Sequence, residues 1–157
     1  MTATKVIGES VKQTNRTFIK SYVNDYADAI TENYRRYHIR TLKGNLSGNY
    51  PEYAREQLDA IENGTANLMK FKVYSGKRYY KIVQQEFETW EKSRNYGKYA
   101  DGSVHCFVDK ETGDVYKPAS WSAPAKHIRF TFQNVDHLKF LLNPDNVDWA
   151  GGYLYLR

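Results

Sequence analysis

Cysteine is almost absent: Cys106 is the sole thiol in 157 residues. One thiol cannot bridge within the chain, so no disulfide framework and no oxidising compartment is implied. No apolar run approaches the roughly 18–20 residues that a membrane-spanning helix needs. Met1 to Ser10 has neither the basic stretch nor the apolar block of a signal peptide. A cytosol-like compartment and no membrane partner are therefore expected.

Catalytic signatures are lacking too. There is no HExxH, no CxxC and no nucleophile elbow. Ser75-Gly76-Lys77-Arg78 lacks the glycine spacing and the Lys-Ser/Thr pair of a P-loop. The carboxylate pairs Glu86 with Glu88 and Asp145 with Asp148 are too loosely placed to argue acid–base work. The histidines are His38, His105, His127 and His137. His105 and Cys106 are adjacent, and strand alternation would turn them to opposite faces, away from a shared metal. Cys106 and His127 offer a nucleophile and a base in principle. Against that, Val104, Cys106 and Val108 fall on one core-like strand face, where a thiol is inert. Cys106 is thus expected to be structural. No catalytic residue, metal ligand or cofactor is assigned, and binding is favoured over catalysis.

Aromatic residues are plentiful instead: 14 Tyr, 7 Phe and 3 Trp. Tyrosine brings apolar area with a hydroxyl that wants a partner, which suits half-buried sheets and wet contact surfaces. A hydrophobic content of 41% supports a folded chain. The length suits a single domain over 1–157, with a helical part at 1–66 and a β-rich part at 67–157. The net charge of +5 is unevenly placed. Residues 1–45 and 68–100 are basic, 46–67 acidic and 101–157 nearly balanced. A basic stretch attracts phosphate or an acidic protein, or simply solvates a surface.

Periodicity divides the chain. Phe18, Ile19, Tyr22, Val23, Tyr26, Ala29, Ile30, Tyr34 and Tyr37 recur at three- and four-residue steps and predict a long helix from Val11 to Leu42. Ser10 with Gln13 fits a capping box at its start, and Gly44 a stop. Pro51 to Asn63 reads as a shorter helix with proline at the first position. The period then changes to two. Met69, Phe71 and Val73 alternate with Lys70 and Lys72, Ser75-Gly76 makes a turn, and Lys77 to Gln84 returns as a second strand. A short helix is expected at Phe87 to Lys92 and a loop at Asn95 to Gly102. Ser103 to Asp109 and Asp114 to Lys117 form a hairpin through Lys110-Glu111-Thr112-Gly113. His127 to Phe132 reads as a strand, Val135 to Leu142 as a short helix and Tyr153 to Leu156 as a closing strand. The fold class is α+β: one long and one shorter helix, an antiparallel hairpin-rich half, and a short helix near the C-terminus.

The most concentrated feature is Lys70 to Lys81, KFKVYSGKRYYK, with five basic residues, four aromatics and no acid. Such a hairpin has the ingredients to follow a phosphate backbone and stack on bases. Lys70, Lys72 and Tyr74 share one strand face; Lys77, Tyr79 and Lys81 share another. With Arg78 these seven are the candidate nucleic-acid contacts. The ordinary reading is a solvated sheet face whose lysines guard an edge. The apolar stripe of the helix Val11–Leu42 offers a second surface, for a copy of the chain or another protein.

Ser103 to Lys126, SVHCFVDKETGDVYKPASWSAPAK, resembles a segment of small proteins of tailed phages, marine and cyanobacterial ones especially. The hairpin FVDKETGDVYKPASW (Phe107 to Trp121) carries the likeness. Tyr79-Tyr80-Lys81-Ile82-Val83 and Trp149 to Tyr155 add to it. The resemblance covers about the C-terminal half and implies a phage-encoded accessory protein in the host cytoplasm or the virion. It implies no activity and transfers no functional residue. A structural or assembly role in the virion is the alternative to a nucleic-acid or host-factor binder.

Overall fold

The structure, a computed structural model, describes residues 2–156, with side chains from residue 16 onward. Helix α1 runs Thr2–Asn45 and helix α2 Pro51–Glu62. Ser10 lies inside α1, so the expected capping box does not start the helix. At about 1.5 Å per residue α1 is about 65 Å long. Ile19, Val23, Tyr26, Ala27, Ala29, Ile30 and Leu42 are buried positions of α1, and Ile19, Val23, Tyr26 and Ile30 are spaced to form one stripe. Pro51 opens α2 because the first helical N–H has no partner to lose, and Ala54 is the residue that α2 buries.

Five strands follow: β1 Lys70–Ser75, β2 Tyr79–Phe87, β3 Tyr99–Asp109, β4 Asp114–Tyr116 and β5 Phe130–Thr131. They pair in sequence order as an antiparallel meander. Helix α3, Val135–Leu141, is capped by Asn134, whose side chain accepts from the N–H groups of Asp136 and His137. The architecture is α+β, as the change of period predicts.

One face of the sheet lies on α1. Phe71, Ile82, Cys106, Val108 and Val115 join the α1 stripe in a buried cluster with Phe132, Leu141, Val147 and Leu154. The stripe is therefore covered by the chain itself: Val23, Tyr26 and Ile30 have no solvent exposure. Asn33 ties the C-terminal segment to α1. Its amide donates to Pro144 O at 2.9 Å and its Oδ1 accepts from Trp149 N at 2.9 Å. Thr31 Oγ1 accepts the N–H of Phe71 on the edge strand β1 at 3.2 Å, which supplies a partner that an edge lacks.

Four expected elements differ. Phe87 ends β2 and turns follow it, so no helix forms at Phe87 to Lys92. β3 starts at Tyr99, inside the stretch that reads as loop, because β2 extends to Phe87 and pairs it with Tyr99. Tyr153 to Leu156 is no strand; Gly152–Leu154 forms a 3-10 turn after Gly151, whose φ of 83° reverses the chain. The strand expected at His127 to Phe132 shrinks to Phe130–Thr131, with Ile128 exposed.

Candidate functional site

The site grows from the β1–β2 hairpin. The turn closes by Gly76 N–H donating to Tyr79 O at 2.9 Å, leaving Lys77 and Arg78 exposed at the tip. Lys77 therefore belongs to the turn and not to the strand face that alternation assigns to it with Tyr79 and Lys81. On the sheet face turned away from α1, register aligns Tyr74 with Lys81, Lys81 with Phe107, and Phe107 with Tyr116. This row crosses four strands. Tyr79 packs edge-on against Phe107 and Tyr116, with centroids 5.8 and 6.1 Å away. Arg78 lies over the Tyr79 ring at 5.2 Å.

Trp121, from the loop after β4, stands over this row and remains 47% exposed. Lys81 Nζ lies 4.1 Å from its ring centroid and donates to its carbonyl oxygen at 2.9 Å. The result is a cleft of about 460 Å³ lined by Tyr74, Lys77, Arg78, Lys81, Asp101 and Trp121 among others. A cation against a ring gains from the quadrupole without losing its charge, so each such lysine keeps its attraction for anions.

Folding also brings acids to a segment that has none of its own. Tyr74 OH donates to both Asp101 oxygens, at 2.8 and 2.9 Å, and Gln85 Nε2 donates to Oδ1 at 2.8 Å. The Gln85 bond, helped by Tyr74 and by the charges of Lys72 and Lys81, holds the Asp101 carboxyl below its usual range, against partial burial. Beyond the tip, Arg78 Nε approaches Asp109 at 3.6 Å and Arg16 pairs with Glu111 at 2.6 Å. There α1, the β1–β2 turn and the β3–β4 turn enclose a second cleft of about 820 Å³, which Lys110 also lines.

Six of the seven candidate contacts are thus near one another: Lys72, Tyr74, Tyr79 and Lys81 on the outer face, Lys77 and Arg78 at its end. Lys70 stands apart, with Nζ 3.9 Å from the Tyr99 ring centroid and paired in register with Gln85. Asp101, Phe107, Tyr116, Trp121 and Lys110 are additions. Phe107 and Tyr116 could be found from strand alternation around the Lys110–Gly113 turn; Asp101 carries no local signal.

A different arrangement surrounds Cys106. Ile82 pairs with Cys106 but Val83 with Val104, so His105 is an extra residue in β3, a bulge. Because of it His105 and Cys106 reach one buried network, contrary to simple alternation. His105 Nε2 bonds Tyr153 OH at 2.8 Å, Tyr153 bonds Tyr26, and Tyr26 acts on the Cys106 thiol. Burial pushes the thiol up to about 12 and pulls His105 down to about 4. Both groups are neutral near pH 7, the thiol is not nucleophilic there, and the network serves the core. His127 is exposed in the turn before β5. Among the described residues no group of three or more His, Cys, Asp or Glu could hold a metal ion. No described helix is long and apolar enough to cross a membrane.

No curated protein and no solved structure matches the chain. A family of unknown function (DUF7717) matches residues 5–156, nearly the whole chain and both the helical part and the sheet, and the chain belongs to that family.

Proposed function

We propose that this protein is a binding module for nucleic acid, working through the outer face of the β1–β2 hairpin and the adjoining β3 and β4. The observation that carries this reading is the cleft in which the cations Lys77, Arg78 and Lys81 stand beside the half-buried rings of Tyr74 and Tyr79 and the exposed ring of Trp121. Phosphates need the first kind of group and bases the second. Asp101 and Asp109 temper the positive field, and both have partners within the chain. The likeness of Phe107–Trp121 to proteins of tailed phages supports an accessory role in an infected host, in its cytoplasm or in the virion. A protein partner on the helix between Val11 and Leu42 would meet its outward residues, such as Phe18 and Tyr37, since the stripe is occupied.

Fluorescence anisotropy with labelled oligonucleotides over a range of salt tests the reading. Replacing Lys72, Lys77, Arg78 and Lys81 with Gln should flatten the dependence of log K on log salt by about 0.7–0.9 for each phosphate no longer neutralised. An unchanged slope, or no binding by the native chain, would overturn it.

A further inference from the structure

The cleft on the outer sheet face brings cations, rings and a carboxylate together. Resting on the nucleic-acid reading, we propose that it takes one unpaired base of a single strand, stacked on Trp121, and that Asp101 selects bases presenting an amino group. Three features converge on this. The cations lie at the hairpin tip and on Lys81, so phosphates on either side of a base would meet Lys77 and Arg78 or Lys81. Lys81 lies over the Trp121 ring and the residue is half exposed, so ring surface is left for a planar group. Asp101 opens into the same cleft as a carboxylate held ionised by Gln85 and Tyr74.

The acceptor count matters. A carboxylate has about four lone-pair sites. Asp101 uses three, two on Oδ1 for Tyr74 and Gln85 and one on Oδ2 for Tyr74. One remains, on Oδ2. Carboxylates accept from the exocyclic amine of cytosine, whereas thymine offers a carbonyl at the corresponding position. A carbonyl there would face the anion and be repelled. A duplex hides the ring faces of its bases in stacking, so a duplex cannot place a base on Trp121 without extruding it.

The test compares oligo-dC, oligo-dT, their ribose counterparts and a DNA duplex of equal charge, with the native chain at fixed salt. Oligo-dC should bind roughly tenfold tighter than oligo-dT, the scale of one hydrogen bond to a charged group. The duplex should be weaker than either, and the ribose series should show the same order. Asp101→Asn should abolish the difference between C and T. Trp121→Ala should weaken both single strands by about tenfold or more, and Trp121→Phe should restore part of it. Thermal melts of each variant separate weakened binding from loss of fold.

Equal affinity for C, T and duplex, or displacement of oligo-dC by polyglutamate at equal charge, would overturn the inference and leave salt-dependent binding standing. Absence of all binding would overturn the underlying reading as well. If Asp101→Asn unfolds the chain, the native preference for C over T decides alone: its presence supports the inference and its absence overturns it.

Discussion

His105 shows how far a single burial can set the behaviour of a residue. Its ring is 8% exposed, lies edge-on to Phe71 at 5.3 Å and bonds Tyr153. The charge of Asp148 acts on it, against the larger effect of burial. Its pKa falls from 6.5 to about 4 in the folded chain. The unfolded chain therefore binds more protons between those values, and stability rises with pH across that window. Above about pH 6.5 the neutral ring costs nothing; below it stability is lost progressively until pH falls past about 4. Urea unfolding at pH 5 should give a stability about 2 kcal/mol below that at pH 7.5, at about 1.4 kcal/mol per unit of pH. His105→Gln should flatten this part of the profile, whatever it does to the stability itself. A native profile without slope between roughly pH 4.5 and 6.5 would contradict the buried neutral ring.

At the scale of elements, the strands and helices that announce themselves are those with a strict period. α1, α2, β1 and the β3–β4 hairpin all follow the alternation or the three-and-four spacing of their apolar residues. The misread pieces are those where tertiary pairing decides. Tyr99 to Gly102, with Gly102 and Asp101 in it, has poor strand propensity, yet it pairs because β2 is long enough to offer Gln85, Glu86 and Phe87 as partners. The bulge at His105 leaves no mark in the sequence, and so neither does the relation between His105 and Cys106. The candidate site follows the same division. The hairpin cations and tyrosines are legible from composition, whereas Asp101 and Trp121 come to them only through β2–β3 register and the loop after β4. One turn glycine tests the local geometry. Gly113 has φ of 75°, and a Cβ there would sit 2.9 Å from Phe132 Cβ. Gly113→Ala should destabilise the chain by more than about 1 kcal/mol, through the strained φ and the displaced Phe132. Its thermal midpoint should fall by several degrees, and an unchanged midpoint would contradict this packing.

For the whole molecule, the decisive fact is that the sheet and the C-terminal segment close over α1. A stripe of this length in the sequence invites an interface with another chain. In the fold, Tyr26 packs edge-on to Phe132 and hydrogen-bonds Tyr153, while Ile30 is enclosed in the same cluster. The stripe that could have joined two copies instead joins the helical part to the sheet. Substituting Tyr26→Glu with Ile30→Glu thus separates two mechanisms. In an intermolecular interface the double variant would yield a folded, smaller species. Buried within one chain, two carboxylates without partners each cost several kcal/mol, against a total stability of about 5–15 kcal/mol for a domain. The expected outcome is unfolding: loss of the near-ultraviolet circular dichroism of the aromatic core and an expanded species in sedimentation velocity. A conservative control, Ile30→Val, should lower stability by about 0.5–1.5 kcal/mol and keep the fold. A double variant that stays folded and sediments as a compact species would place the stripe at a surface and contradict the closure of the sheet over α1.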